Sequence, residues 1–317
     1  MRRYRREFFW GALSLLLLWA VVGWSIYASY QWRLHKDWGT KADRIAQRLD
    51  RALSDTQSQL GVLAESLASR IKDTGVDHLP DISRDTLLKR LFVSEVTLHH
   101  GQESTPIFSL SRPVAPYIWR ATLYDFVRTH APQAGLEVTE YGPRVLDIEP
   151  LSVGTQTYGV EVAVNLDTFL TNFGKREGVE LAFLTPTSSS QIADCPTVET
   201  SPGQTYSILA SSHPEAADIL SSLPLKKDIG RPLHGICRTD DAAYAVLMID
   251  DVEYHPTTVA SVSTGSSLII WMDYTSAVAE VTQEMRQTLW LVSLLIIIFG
   301  GLGVFLFVRY RGRIQRR

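Results

Sequence analysis

The stretch LDIEPLSVGTQTYGVEVAVNLDTFLTNFGKREGVELAFL, Leu146 to Leu184, decides the fold. It opens inside a strand, Arg144 to Leu151, and turns at Gly154-Thr155-Gln156. It comes back as the valine-rich strand Tyr158 to Asn165, which makes an antiparallel hairpin. Asp167 to Phe173 reads as a helix with an acid in its first turn, and Val179 to Leu184 as a further strand. Hairpin, helix and strand in this order mark an α+β body.

On the N-terminal side, Glu95 to His99 and Pro106 to Leu110 read as strands around the turn His100-Gly101-Gln102-Glu103. Arg84 to Phe92 reads as a short helix, Pro116 to His130 as a longer one, and Leu136 to Glu140 as a strand ending at Gly142-Pro143. Five strands with helices on one side make one small sheet. On the C-terminal side the order partly repeats. Strands are expected at Thr205–Ala210, Pro232–Arg238, Ala243–Ile249, Val259–Val262 and Ser267–Met272. A helix is expected at Pro214–Leu223, and a polar loop rich in Ser and Thr at Pro186–Gly203.

One long helix opens this body and another closes it. From Thr40 to Asp73, Ala42, Ile45, Leu49, Ala52, Thr56, Leu60, Leu63, Leu67 and Ile71 recur at spacings of three and four. Such a stripe either seams a homodimer, for which Ala42 to Leu60 is the candidate, or lies on the chain's own sheets. Asp273 to Gln287 is the closing helix, with Ala277, Val278, Val281 and Met285 on one face.

Beyond both helices lie uncharged apolar runs, Phe8 to Tyr30 (23 residues) and Leu289 to Val308 (20 residues). At about 1.5 Å per residue each spans a hydrocarbon core of ~30 Å. Arg2, Arg3, Arg5 and Arg6 precede the first, and Arg309, Arg311, Arg313, Arg316 and Arg317 follow the second. Positive flanks stay cytoplasmic, so both ends are expected inside a cell membrane and residues 31–286 on its outer side. A cleaved signal peptide fits the first run less well, because it is long and Ile26 to Tyr30 offers no small-residue cleavage site.

The tails carry +3 and +5 of a total of −3, which leaves −11 on the outer body. That excludes nucleic acid as its partner, since phosphate binding needs concentrated Lys and Arg. The two cysteines, Cys195 and Cys237, both lie in the outer body. An oxidising compartment favours a disulfide between them; unpaired thiols and a redox switch are the alternatives.

The quoted stretch resembles the double Cache sensory domains of bacterial chemoreceptors, histidine kinases and diguanylate cyclases. In it a strand with Pro150 meets the Gly154 turn, a returning strand and a helix that starts with an acid. Tyr244 to Asp251 and Gly265 to Val281 resemble the corresponding closing strands and exit helix. The resemblance covers about residues 31–286. It implies a fold of two tandem PAS-like antiparallel-sheet subdomains on a long N-terminal helix, flanked by two transmembrane helices. The implied division is a tail 1–7, a span 8–30, a long helix 31–75, a membrane-distal subdomain 76–178 and a membrane-proximal one 179–272. An exit helix 273–288, a span 289–308 and a tail 309–317 follow. The passage DDVEYHPTTVASVSTG, Asp250 to Gly265, departs from the family pattern and puts a pocket in the second half in doubt. The tail RYRGRIQRR stands where relatives carry output domains, so a separate kinase, cyclase or chemoreceptor-type partner is expected.

In domains of this kind a small ligand lies between the sheet and the segment crossing it. Here that segment is Ser109 to Phe126, where Arg112, Tyr117, Trp119, Arg120 and Tyr124 combine apolar area with cationic and hydroxyl donors. They suit an anionic or zwitterionic small molecule, with Tyr141 and Arg144 on an adjoining strand as weaker candidates. Trp119 and Tyr124 serve equally as core, and Arg120 as a solvated residue. His99-His100 reads as a solvated strand end rather than a metal or pH-sensing pair, because neighbouring strand residues face opposite ways. Asp250, Asp251, Glu253 and His255 read as solvated turn residues rather than a cation site.

No catalytic signature occurs, so no enzyme activity, cofactor or metal is expected. The leading expectation is a ligand-sensing receptor subunit; the alternative is an envelope assembly or scaffold protein that docks through the same body.

Overall fold

A computed structural model describes residues 2–75, 92–101, 106–109, 121–139, 142–186, 196–201, 204–223, 234–238, 242–250 and 266–314. The chain forms two compact units, residues 42–272, and residues 1–41 together with 273–317. The first helix, α1 (Arg2–Thr74), contributes to both.

The larger unit holds two sheets. The first contains β1 (Glu95–His100), β2 (Pro106–Ser109), β3 (Gln133–Thr139), β4 (Gly142–Val153) and β5 (Gln156–Asn165) in the order β2-β1-β5-β4-β3. All its pairs are antiparallel. Val153 pairs with Gln156, so Gly154 and Thr155 alone make the β4–β5 turn. Gly154 sits at φ +62°, the left-handed conformation such a tight turn requires. Helix α2 (Ala121–Thr129) lies between β2 and β3 in sequence.

Helix α3 (Leu166–Glu177) carries the chain from one sheet to the other and packs against strands of both. It runs four residues past the expected Phe173, until Gly178 at φ +68° closes it in the left-handed region. The second sheet contains β6 (Glu180–Pro186), β7 (Thr197–Ser201), β8 (Gln204–Ser211), β9 (His234–Arg238), β10 (Ala243–Asp250) and β11 (Ser267–Asp273). Its order, β7-β8-β6-β11-β10-β9, repeats that of the first sheet with β7 added at one edge. Helix α4 (Ala216–Ser222) occupies the position of α2. The architecture is thus α+β, two tandem antiparallel sheets behind a long N-terminal helix.

Strand β7 corrects the expectation of a polar loop over Pro186–Gly203. It pairs antiparallel with β8 and forms an edge of the sheet, with Val198 (1% exposed) turned into the core. The expected strand Val259–Val262 and helix residues 84–91 and 116–120 lie outside the described residues. The apolar stripe of α1 is taken up inside the single chain: Ile45, Leu49, Leu60, Leu63, Leu67 and Ile71 are all buried.

In the smaller unit, α1 up to Lys41 runs beside α5 (Thr275–Ile314). Both helices are long and apolar enough to cross a membrane. Trp19 Nε1 donates to Ser293 Oγ at 2.8 Å, and Tyr30 Oη lies 3.0 Å from Thr288 Oγ1. Asp273 caps α5 by accepting the Thr275 N–H at 2.8 Å, and bonds from Thr275 hold its carboxyl below the usual range. Trp38 is buried and packs against Tyr274, with ring centroids 6.2 Å apart.

Candidate functional site: a charged floor on the first sheet

Strand parity assigns the faces of the first sheet. Glu95, Thr97 and His99 lie on one side of β1. Thr97 pairs with Glu161 and Glu95 with Ala163. Ala163 in turn pairs with Leu146, Glu161 with Ile148, and Arg144 with Asn165. Glu137 of β3 pairs with Arg144. Glu95, Thr97, His99, Glu137, Arg144 and Glu161 therefore share one face.

Helix α2 covers that face. Its Leu123 and Phe126 form an apolar cluster with Leu146, Ile148 and Ala163. The approach is close at Gly159, where a Cβ would come within 2.8 Å of the Phe126 ring. Around this small apolar centre the floor is charged and dry: Glu95, His99, Glu137, Arg144 and Glu161 are each 8% exposed or less.

The charges meet in pairs. The Arg144 guanidinium reaches across β5 to the Glu95 carboxylate. Glu95 Oε1 also accepts from Thr97 Oγ1 at 3.0 Å and from Ser109 Oγ at 3.3 Å. His99 Nε2 lies 2.7 Å from Glu161 Oε2, and Nδ1 of the same ring has no partner. Glu137 accepts both the Thr122 hydroxyl, at 2.7 Å, and the Thr122 backbone N–H, at 3.2 Å, so it holds the start of α2. Desolvation lowers the Arg144 pKa, and the nearby Glu161 charge works against that shift.

Among the described residues the floor thus brings together three buried carboxylates, one arginine and one histidine. A buried charge is expensive unless it is paired, and even paired it stabilises a fold no better than apolar packing.

The opposite face carries a contrasting acid. Asp147 is 7% exposed beneath α1, with its Oδ2 3.3 Å from where a Gly61 Cβ would stand. Its Oδ1 has no hydrogen-bond partner. Burial first, and the charge of Glu149 second, push its pKa up to about 7. Glu149 is itself pushed up, by burial and by Glu65 of α1.

Of the expected ligand residues, Arg144 lies in the floor, while Tyr124 is half exposed on α2. Arg112, Tyr117, Trp119, Arg120 and Tyr141 lie outside the described residues. His99 is a correction: it is buried against Glu161, not a solvated strand end, because its strand lies inside the sheet with β2 and β5 on either side. His100 packs edge-on against Tyr158 instead. The expected disulfide is not supported. Cys237 is a free thiol, half-buried against the apolar core of the second sheet, and burial pushes its pKa up; Cys195 lies outside the described residues. Of the Asp250–His255 turn only Asp250, the last residue of β10, is described. Among the described residues no three His, Cys, Asp or Glu side chains converge as for a metal ion.

The reading missed Glu95, Glu137 and Glu161. The plainest signal was Glu161, a single acid in the run Val160 to Val164 that otherwise holds only Val and Ala.

No family model matches the sequence, and no curated protein matches it. Several solved structures are similar in fold. One is the ligand-binding domain of the Pseudomonas aeruginosa PAO1 amino acid chemoreceptor PctB in complex with L-Arg. It is 14% identical, with a TM-score of 0.45 over 83% of this chain and 99% of that one. Another is the sensor domain of the V. cholerae histidine kinase DctB, 11% identical, with a TM-score of 0.43 over 77% of this chain and 98% of that one. A third is the ligand-binding domain of the Pseudomonas fluorescens chemoreceptor CtaA with L-alanine, 13% identical, with a TM-score of 0.39 over 73% and 96%. These likenesses concern general arrangement, and the ligands belong to those proteins.

Proposed function

We propose that this chain is a sensory subunit of a bacterial inner membrane, with a periplasmic double Cache body that binds a small zwitterionic or amine-bearing molecule. The observation that carries this reading is the charged, buried floor of the first sheet under α2. Its carboxylates Glu95, Glu137 and Glu161 are acceptors that suit an ammonium group through charge-assisted hydrogen bonds. Residues 110–120, just before α2, carry Arg112 and Arg120, whose charge suits a carboxylate on the same ligand. The role is binding rather than catalysis.

Signalling follows from differential affinity. A ligand that prefers one arrangement of sheet and helix shifts the chain toward it, and one with equal affinity for both transmits nothing. The two apolar helices would pass that shift to a kinase, cyclase or chemoreceptor-type partner across the membrane.

The test is a thermal-shift titration of the full chain in nanodiscs with pools of amino acids and small amines. A rise in Tm with one pool, abolished by Glu161→Gln, supports the reading. No rise with any pool, together with copurification of an envelope complex, supports the scaffold alternative instead.

A further inference from the structure

A cavity lies away from the floor, in the groove between α1 and α3, and has a volume of about 520 Å³. That is within the range of small-molecule sites. Its base is apolar, formed by Leu60 (1% exposed) and Val164 (3% exposed). Three phenylalanines line it. Phe169 and Phe173 stack on α3 with ring centroids 6.4 Å apart, and Phe92 stands at its edge.

Phe92 is unusual in two respects. Its backbone is at φ +54°, a conformation that costs a bulky residue energy, and 58% of the residue is exposed. Strain spent on presenting an aromatic ring to solvent beside a cavity points to an occupant for that ring.

The charges of the lining divide unevenly. Arg48 lies 2.6 Å and Arg176 3.2 Å from Glu177, and these contacts hold the Glu177 carboxyl below the usual range. Arg176 also lies over the Phe173 ring at 5.2 Å. Arg51 lines the groove with no ion pair or hydrogen bond among the described residues. With Asp55 included, the lining carries +1 on an outer body of −11.

From this geometry we infer that the groove between α1 and α3 is a second binding site, for a monoanionic molecule with a flat apolar body, such as an aromatic carboxylate. The carboxylate pairs with Arg51, and the apolar body lies among Phe92, Phe169 and Phe173 above Leu60 and Val164. The chemistry is opposite to that of the acidic floor, so the two sites take different molecules, and this one does not depend on the first.

The test is calorimetric titration of naphthalene-2-carboxylate, with naphthalene-2-carboxamide as the neutral control, into the full chain in zwitterionic nanodiscs, with empty discs subtracted. The expected result is saturable binding of the carboxylate at one site, at least tenfold tighter than the amide. Arg51→Glu should weaken it by ten times or more and Phe92→Ala several-fold, while Glu161→Gln on the first sheet leaves it unchanged. Arg51 is exposed, so its replacement leaves the fold intact, and an unchanged Tm checks this. Absence of saturable binding, equal affinity for the amide, or full affinity in the Arg51→Glu chain overturns the inference.

Discussion

Apart from the added β7, the two sheets share a strand order and a helix at the same point of it, α2 between β2 and β3 and α4 between β8 and β9, yet their covered faces are opposites. Under α4, the second sheet presents Ala182, Leu184, Val246, Met248, Ile269 and Trp271, an apolar core of ordinary kind. Under α2, the first sheet presents Glu95, His99, Glu137, Arg144 and Glu161 around three apolar strand residues. Among the described residues every buried charged side chain belongs to the first sheet or its other face, and none to the second. The same architecture can close on itself with aliphatic side chains, so the charges of the first sheet are not a requirement of the fold. They are particular to one copy, and the proposed ligand face rests on that difference.

Substitutions test this contrast most strongly at the two centres. Trp271→Ala removes a large ring from a well-packed core and should cost ~3–5 kcal/mol. Arg144→Ala leaves Glu95 buried without its cation and should cost a similar ~3–5 kcal/mol. The halves separate when a whole pair is replaced. His99→Leu with Glu161→Met should leave stability within about 1 kcal/mol of the parent, or raise it, while ending any ligand-induced rise in Tm. Urea unfolding of the three variants checks both expectations, and a double variant as damaged as Arg144→Ala would erase the contrast.

The next effect separates the two faces of the first sheet. Asp147 has no cation beside it, and its folded pKa of about 7 lies above its ordinary value. The folded chain therefore holds this proton more tightly than the unfolded one. Its contribution to stability is complete below about pH 4 and is lost as pH rises through 7. Asp147→Asn should match the parent near pH 4 and exceed it increasingly up to pH 8, by up to ~4 kcal/mol. Unfolding curves across that range measure the gap, and a gap that shrinks as pH rises would contradict the burial argument.

Smaller effects follow at the margins. Gly159→Ala pushes a methyl into the Phe126 ring and should cost ~1–3 kcal/mol by overpacking between β5 and α2. Arg48→Ala removes the exposed partner of Glu177, whose carboxylate keeps its contact with Arg176, and should cost about 1 kcal/mol.

Much of the fold was legible because its signals are local. The hairpin around Gly154 needs one left-handed residue between two valine-rich runs, and the sequence supplies it. Two apolar runs flanked by arginines likewise declare themselves by composition. Strand β7 was not legible, because its sequence TVETS holds one apolar residue, Val198, and so shows no apolar alternation. The floor was only partly legible. Arg144 was found from its place on an adjoining strand, but its partner Glu95 lies two strands away, and sequence distance hides such a pair. His99 misled because a histidine at a strand end is commonly solvated, and only the pairing of β1 with both β2 and β5 buries it. Cys237 misled because redox compartment and cysteine count say nothing of where a thiol packs.

Hydrogen exchange of the full chain in nanodiscs, with and without a mixture of the twenty proteinogenic amino acids, tests the central claim most directly. Slowed exchange is predicted in Glu95–His100, Gln156–Asn165 and Ala121–Thr129, with β6, β10 and β11 unchanged. Slowing confined to the second sheet, or no change in either, would contradict the assignment of the charged face as the ligand surface.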